Sequence, residues 1–149
     1  MNYVESIKHF KELTPAELYS IIRLRNEVFV VEQNCAYQDA DNKDIYCYHQ
    51  ALYLDNTLVA YARLVPPGLS YEEMSIGRVV TSSIVRGKGA GKILMEAAIK
   101  NCYKVFGKGS IRISAQLYAK PFYTALGFIE TGDVYDEDNI EHIEMVKYQ

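Results

Sequence analysis

The apolar positions of this chain change period several times, and each change marks an element. "YVESIKHF" (residues 3–10) reads as a short first strand. "TPAELYSIIRLRNEVF" (14–29) opens with a helix-start signal: Thr14 caps, Pro15 suits the first helical position and Glu17 completes a capping box. Leu18, Ile21, Ile22 and Arg25 then recur at helical spacing and give a mostly apolar face. "NCAYQDADNKD" (34–44) is polar and acidic and reads as loop. "YCYHQALYL" and "TLVAYARLV" flank Asp55-Asn56 and predict a β-hairpin, which "PPG" at 66–68 ends. "MSIGRVVT" (74–81) predicts a strand, and Ala90 to Phe106 a helix with Ile93, Leu94, Ala97, Ala98 and Val105 on its buried stripe, stopped by Gly107 and Gly109. "SIRIS" is a short strand. "YAKPFYTAL" is helical provided the helix starts near Pro121, and Gly127 closes it. "FIETG" and "HIEMVKY" are the closing strands. The order β-α-β-β-β-α-β-α-β-β describes one mixed α/β domain, residues 1–149, on a single sheet, with a right-handed parallel crossover over 74–114.

Bulk properties narrow the function. The chain has 149 residues and a net charge of −3, which argues against a broad basic surface and hence against nucleic acid as a partner. The segment after Met1, "NYVESIKHFKE", is polar and has no signal-peptide pattern. No apolar run approaches the ~20 residues that span a bilayer, so no membrane association is expected. Cys35, Cys47 and Cys102 are scattered without zinc-ligand spacing, so no metal site is expected and the thiols read as reduced, in a cytoplasmic protein. Thirteen tyrosines and no tryptophan suit either a cleft wall or a β core.

The candidate chemistry lies in "VVTSSIVRGKGAGKILM" (79–95), where Gly87, Gly89 and Gly91 sit between a strand and a helix. A Walker A loop fails here: its first glycine falls on Arg86 and Ile93 replaces Ser/Thr. A dinucleotide fingerprint fails because Lys92 stands at its third glycine. What remains is R-x-x-G-x-G. Its glycines let backbone N–H groups converge, the following helix adds its dipole, and Arg86, Lys88 and Lys92 supply charge. That set fits a diphosphate held by backbone without a metal.

These residues carry a family resemblance. "VVTSSIVRGKGAGKILM" resembles the acetyl-CoA-binding segment of the GNAT superfamily of N-acetyltransferases, and "AQLYAKPFYTALGF" resembles that superfamily's second signature. "LRNEVFVVEQNCAYQDAD", "IGRVV", "FYTALGF" and "YDEDNIEHIEM" are similar to the ElaA-like branch, which has E-D-G-I-P-H where this chain has "EDNIEH", with Asn139 for Gly and Glu141 for Pro. The resemblance implies a central, mostly antiparallel mixed sheet with a parallel β-α-β crossover at the cofactor site and about four flanking helices. It also implies transfer of an acetyl group from acetyl-CoA to the primary amine of a small molecule or peptide, by direct attack in a ternary complex. The pantetheine arm would lie along Val79, Val80 and Thr81 as an added strand, with a backbone N–H near Val80 facing the developing oxyanion. The pyrophosphate would sit on Arg86, Gly87, Lys88, Gly89, Ala90 and Gly91. Gln116 is a further cofactor contact, and Tyr123 matches the position of the acid that serves the leaving thiolate.

The base that must deprotonate an ammonium of pKa ~10.4 is open between Glu32, His49 and His142, with Glu32 and His142 ahead. Each has a structural alternative: Glu32 as a cap or solvated acid, His49 as a satisfied sheet residue, His142 as a partner of Asp136 or Asp138. The alternative for Tyr123 is a core-facing tyrosine, and the "FYTALGF" context sets the functional reading ahead of it. Arg78, unusual in a β-branched strand, either pairs with an acid across the sheet or shapes the acceptor end. The acidic run "DVYDEDNIEHIE" is either an attractor for a cation or a solvated face. Two other functions compete: an acyl-CoA-binding regulatory module without turnover, and a nucleotide-binding protein, the latter disfavoured by the failed motifs. The acceptor's identity and a possible homodimer stay open.

Overall fold

The computed structural model describes residues 2–149; Met1, where the N-terminal reading starts, lies outside the described residues. Strand β1 (Val4–His9) leads into helix α1 (Pro15–Arg25). The capping box is complete: the Thr14 hydroxyl accepts from the Glu17 N–H (3.1 Å) and the Glu17 carboxylate accepts from the Thr14 N–H (2.8 Å). Beyond Arg25 the helix widens into π-helical turns over Asn26–Glu32. The wider coil sets Val28, Phe29 and Glu32 along one edge of a cleft.

The hairpin pairs β2 (Tyr48–Leu54) with β3 (Thr57–Val65). Asp55 and Asn56 both have positive φ, 50° and 64°, as a tight turn matching the strand twist requires. Strand β4 (Ser75–Thr81) pairs with β3 through a bulge: Tyr61 faces Val80, while Arg63, two residues on, faces Gly77. The extra β4 residue includes Arg78, whose φ of +49° is unusual for a non-glycine residue.

Helix α2 spans Ala90–Phe106, the limits its pattern gives, and ends on Gly107 at φ +90°. Its buried face is Ala90, Leu94, Met95, Ala97, Ala98, Asn101 and Cys102. The expected stripe needs correction at two positions, since Ile93 is 44% exposed and Val105 only half-buried. Ile93 sits about 100° round the helix from Leu94, off the packed arc. Strand β5 (Ile111–Gln116) is longer than "SIRIS" and takes in Gln116 as its last residue. Helix α3 (Lys120–Ala125) has Pro121 in its first turn, and β6 (Ile129–Glu137) and β7 (Ile140–Lys147) close the chain as a hairpin.

The element order is as the sequence implies, but the single sheet is divided. β1-β2-β3-β4 form one antiparallel sheet and β5-β7-β6 a second. They meet at a parallel bridge, Met74 with Ile111, where the Arg112 N–H donates to the Met74 carbonyl (3.0 Å). Past that bridge β4 pairs only with β3 and β5 only with β7, so the facing edges of β4 and β5 diverge. Among the described residues three α-helices flank the sheets, one fewer than expected. The main core fills the space between the sheets, α2 and α3. A smaller cluster of Ile21, Leu24, Val28, Tyr61 and Val80 seats α1.

Candidate active site

The splay between β4 and β5 opens into a cleft of about 900 Å³. Its volume is that of a site for a large ligand, in the ~300–1,000 Å³ range of such clefts. Val79, Val80 and Thr81 line it, and their strand offers it an edge unpaired by any neighbouring strand. An extended ligand could add there by backbone pairing.

At the end of β4 the glycine turn enters α2. Gly87 and Gly89 hold φ of +79° and +83°, conformations that cost a residue with a side chain ~1–2 kcal/mol. Gly89 is the N-cap, and no side chain caps the helix. The first bond into the helix runs from the Ile93 N–H to the Gly89 carbonyl (3.3 Å), so the N–H groups of Ala90, Gly91 and Lys92 have no backbone acceptor. Uncapped amides at the positive end of a 17-residue helix form a site for an anion. Arg86, Gly87, Gly89, Ala90, Gly91 and Lys92 all line the cleft; Lys88 does not. Arg86 folds back: it pairs with Glu32 (2.9 Å) and donates to the Thr81 carbonyl (2.7 Å). Glu32 lines the cleft as expected, but its carboxylate is engaged by a guanidinium, which weakens its case as a base.

Tyr123 is 8% exposed, packed edge-on between Phe122 and Phe128. Burial pushes its hydroxyl well above the ordinary tyrosine value and keeps it protonated. Among the described residues the buried side-chain polar atoms without a well-directed hydrogen bond are Arg63 Nε and Arg78 Nε, so the Tyr123 hydroxyl, which no residue engages, reaches the cleft. Gln116 also lines the cleft and shares a long amide contact (3.4 Å) with Gln33.

His142 lies opposite Gln116 in the β5–β7 ladder, 7% exposed, and lines the same cleft. Its Nδ1 is 2.7 Å from the Ile140 carbonyl. A carbonyl only accepts, so Nδ1 carries the hydrogen and the neutral ring keeps its lone pair on Nε2. The nearby acid is Glu137, 3.5 Å from Nε2, and not Asp136 or Asp138. The turn "EDNIEH" stays tight despite its departure from E-D-G-I-P-H: Asp138 and Asn139 hold φ of +52° and +63°, which Asn tolerates in place of Gly.

His49 is a satisfied sheet residue. Its Nε2 faces the Asp44 carbonyl (2.9 Å) and its Nδ1 the Tyr61 hydroxyl (2.7 Å), and burial lowers its pKa and holds it neutral. Arg78 pairs with the 34–44 loop and not across the sheet: its Nε lies 3.0 Å from the Asp39 carboxylate and its Nη2 donates to the Asp39 carbonyl (3.0 Å).

The loop is thus not merely a solvated acidic segment. Arg25, 0% exposed, bonds Asp39 (2.9 Å) and Asp44 (2.8 Å); Arg63 bonds Asp41 (2.8 Å) and Asp44 (3.0 Å). Burial alone would raise the Asp41 and Asp44 carboxyls, but these guanidinium contacts hold both below the usual range. Three arginines in apolar contexts (helix face, "YARLV", "GRVV") and three aspartates within six residues are the signal that could have revealed the cluster. Ser114, Gln33, Cys35 and Glu137 also line the cleft; the ladder register places Ser114 and Glu137, and the end of the π-helical turn places Gln33.

The fold that carries this cleft is that of a GNAT-type, acyl-CoA-dependent acyltransferase, as comparison with known proteins gives it. The acetyltransferase (GNAT) domain model matches residues 11–149, and the chain belongs to that family. Within it the chain groups with ElaA-like proteins: it is 38% identical to ElaA of Escherichia coli over 141 residues, 93% of this chain and 92% of that protein. A UPF0039 protein of Synechocystis is 42% identical over 142 residues, 95% of this chain and 92% of that one. The crystal structure of an acyl-CoA N-acyltransferase from Pseudomonas aeruginosa superimposes with a TM-score of 0.93 at 39% identity, covering 98% of this chain and 99% of that one. Among the described residues no helix is long and apolar enough to cross a membrane.

Proposed function

We propose that the protein, as one domain over residues 1–149, is a cytoplasmic N-acetyltransferase that moves an acetyl group from acetyl-CoA to a primary amine. The observation that carries the reading is the continuity of one groove, from the uncapped turn at Gly89 along the open edge of β4 to the Tyr123 hydroxyl. Bound acetyl-CoA supplies an acyl group already activated as a thioester. The amides of Gly87, Gly89, Ala90, Gly91 and Lys92 would hold the diphosphate, with Lys88 outside the cleft, and Val79 to Thr81 would pair with the pantetheine amides. The N–H near Val80 faces the carbonyl oxygen as charge develops there. Tyr123 presents a protonated hydroxyl to the sulfur. His142 Nε2 accepts the proton of the incoming ammonium, directly or through one water, and is favoured over Glu32 because Arg86 engages the latter.

The acceptor arrives on the side of Glu137, Asp138 and His142, where the acids favour a cationic amine of a small molecule or peptide. The test is release of free thiol from acetyl-CoA and from longer acyl-CoAs against a panel of amines. Tight acetyl-CoA binding without thiol release from any pair would overturn the reading in favour of a non-catalytic acyl-CoA-binding module.

A further inference from the structure

No motif above gives Glu137 a role, yet the β6–β7 hairpin turns it back so that its carboxylate faces the histidine three residues past the turn. We propose that Glu137 is a positioning residue for His142: it stabilises the imidazolium that His142 becomes on accepting a proton. The inference rests on His142 acting as the base.

Two contacts leave one proton-accepting atom. Nδ1–H is committed to the Ile140 carbonyl (2.7 Å), so the lone pair sits on Nε2, and Glu137 Oε2 lies 3.5 Å from it. In the neutral ring a lone pair faces a carboxylate, with no bond to gain. Once Nε2 is protonated, the same approach becomes an ion pair. The arrangement therefore favours the product of proton transfer. The Tyr135 ring, stacked on the imidazole at 6.0 Å between centroids, holds the plane in which this occurs.

The arginines and the other glutamate that line the cleft are engaged elsewhere. Glu32 pairs with Arg86, and Arg78 pairs with Asp39 and Asp41. Tyr123 stays protonated through burial. Asp138 meets Cys35 through its backbone carbonyl, which accepts from the thiol (3.3 Å). Glu141, on β7, is exposed. Glu137 is the carboxylate within ion-pair distance of the imidazole, and among the described residues it pairs with no other cation.

The test is Glu137→Gln, which keeps size and removes charge. The readout is the acidic limb of the kcat/KM profile against pH. In the variant that limb moves to lower pH by about half a unit, and the plateau falls about two- to five-fold, the scale of a half-exposed pair. Glu137→Asp, which keeps the charge, restores the limb toward its wild-type position, which a purely structural role for the side chain would not predict. NMR titration of the three histidine rings of the ligand-free protein gives an independent readout: one midpoint, that of His142, moves down in Glu137→Gln. An unmoved limb overturns the proposal even if the NMR midpoint moves, because the pair would then be real but unconnected to the base. An unmoved NMR midpoint overturns it outright. If the wild type acylates no amine, the transferase reading falls, and the ring titration alone decides the pairing.

Discussion

Replacing Tyr123 by Phe isolates one atom. The hydroxyl donates to no protein group among the described residues, and the ring is held by Phe122 and Phe128, whose contacts phenylalanine keeps. Urea unfolding should therefore change by less than ~0.5 kcal/mol. The effect on rate follows from the pKa. Burial pushes the phenol above its ordinary value of ~10, while a thiol titrates near ~8.5, so full proton transfer to the departing sulfur is uphill. What the hydroxyl contributes is a hydrogen bond to developing negative charge, about 1.5–3 kcal/mol, or about 10- to 150-fold in kcat. Thiol release under saturating acetyl-CoA measures kcat, and calorimetry measures acetyl-CoA affinity. The expected result is a fall in kcat with affinity within about two-fold, as for an interaction made only in the transition state. An unchanged kcat, or a parallel loss of affinity, removes Tyr123 from the acid role. A stability loss above ~1 kcal/mol would assign its hydroxyl to the fold instead.

Other perturbations test the remaining parts. Gly89→Trp should leave the protein folded, because no atom lies within 4 Å of the point a Cβ would occupy, at ~1–2 kcal/mol of backbone strain; CoA binding by calorimetry should be lost, and unchanged affinity would overturn the loop assignment. Glu32→Gln frees Arg86 and should tighten CoA binding, by no more than about five-fold for so exposed a pair; loss of all turnover with unchanged affinity would instead restore Glu32 as the base. Asp44→Asn leaves the buried Arg25 and Arg63 without their shared carboxylate and should cost about 3–5 kcal/mol in urea unfolding at pH 7. Because Asp44 is held below its ordinary value, its contribution is present above ~pH 3.9 and lost below it, so the variant's deficit should shrink on acidification. A deficit unchanged between pH 7 and 3 would refute the charge argument.

What was legible in the sequence was local. The capping box at Thr14, the turn at Asp55-Asn56, the span of α2 and the glycine turn all depend on residues within a few positions of each other. Their physics needs no tertiary partner. What was not legible depends on distant pairing. Arg25 meets Asp44 across 19 positions and Arg78 meets Asp39 across 39, so an acidic loop that looks solvated is partly buried. The split of the sheet was hidden for a related reason: strand propensity marks β4 and β5 but says nothing of whether they stay paired beyond one bridge. Glu32 was singled out only as a candidate base, and its engagement with Arg86 joins residues 32 and 86, which no motif couples.

The cluster and the cleft are parts of one construction. An unpaired strand edge inside a fold is a hazard, because its N–H and C=O groups invite another strand. Here the open edge of β4 begins beside the bulge that carries Arg78, and Arg78 is tied by Asp39 and Asp41 to a loop that Arg25 and Arg63 anchor in turn. Buried ion networks of this kind seldom gain much over apolar packing, since desolvation offsets their Coulomb energy. Their directional bonds do fix geometry: three guanidinium groups set where the loop lies and where the bulge points. Four of these six charges, Arg25, Arg63, Asp39 and Asp44, are buried, and that cost in stability accompanies a strand edge held open at one place. That place lies in the cleft beside the glycine turn, so the same network that orders the 34–44 loop also fixes the strand edge that lines the cleft.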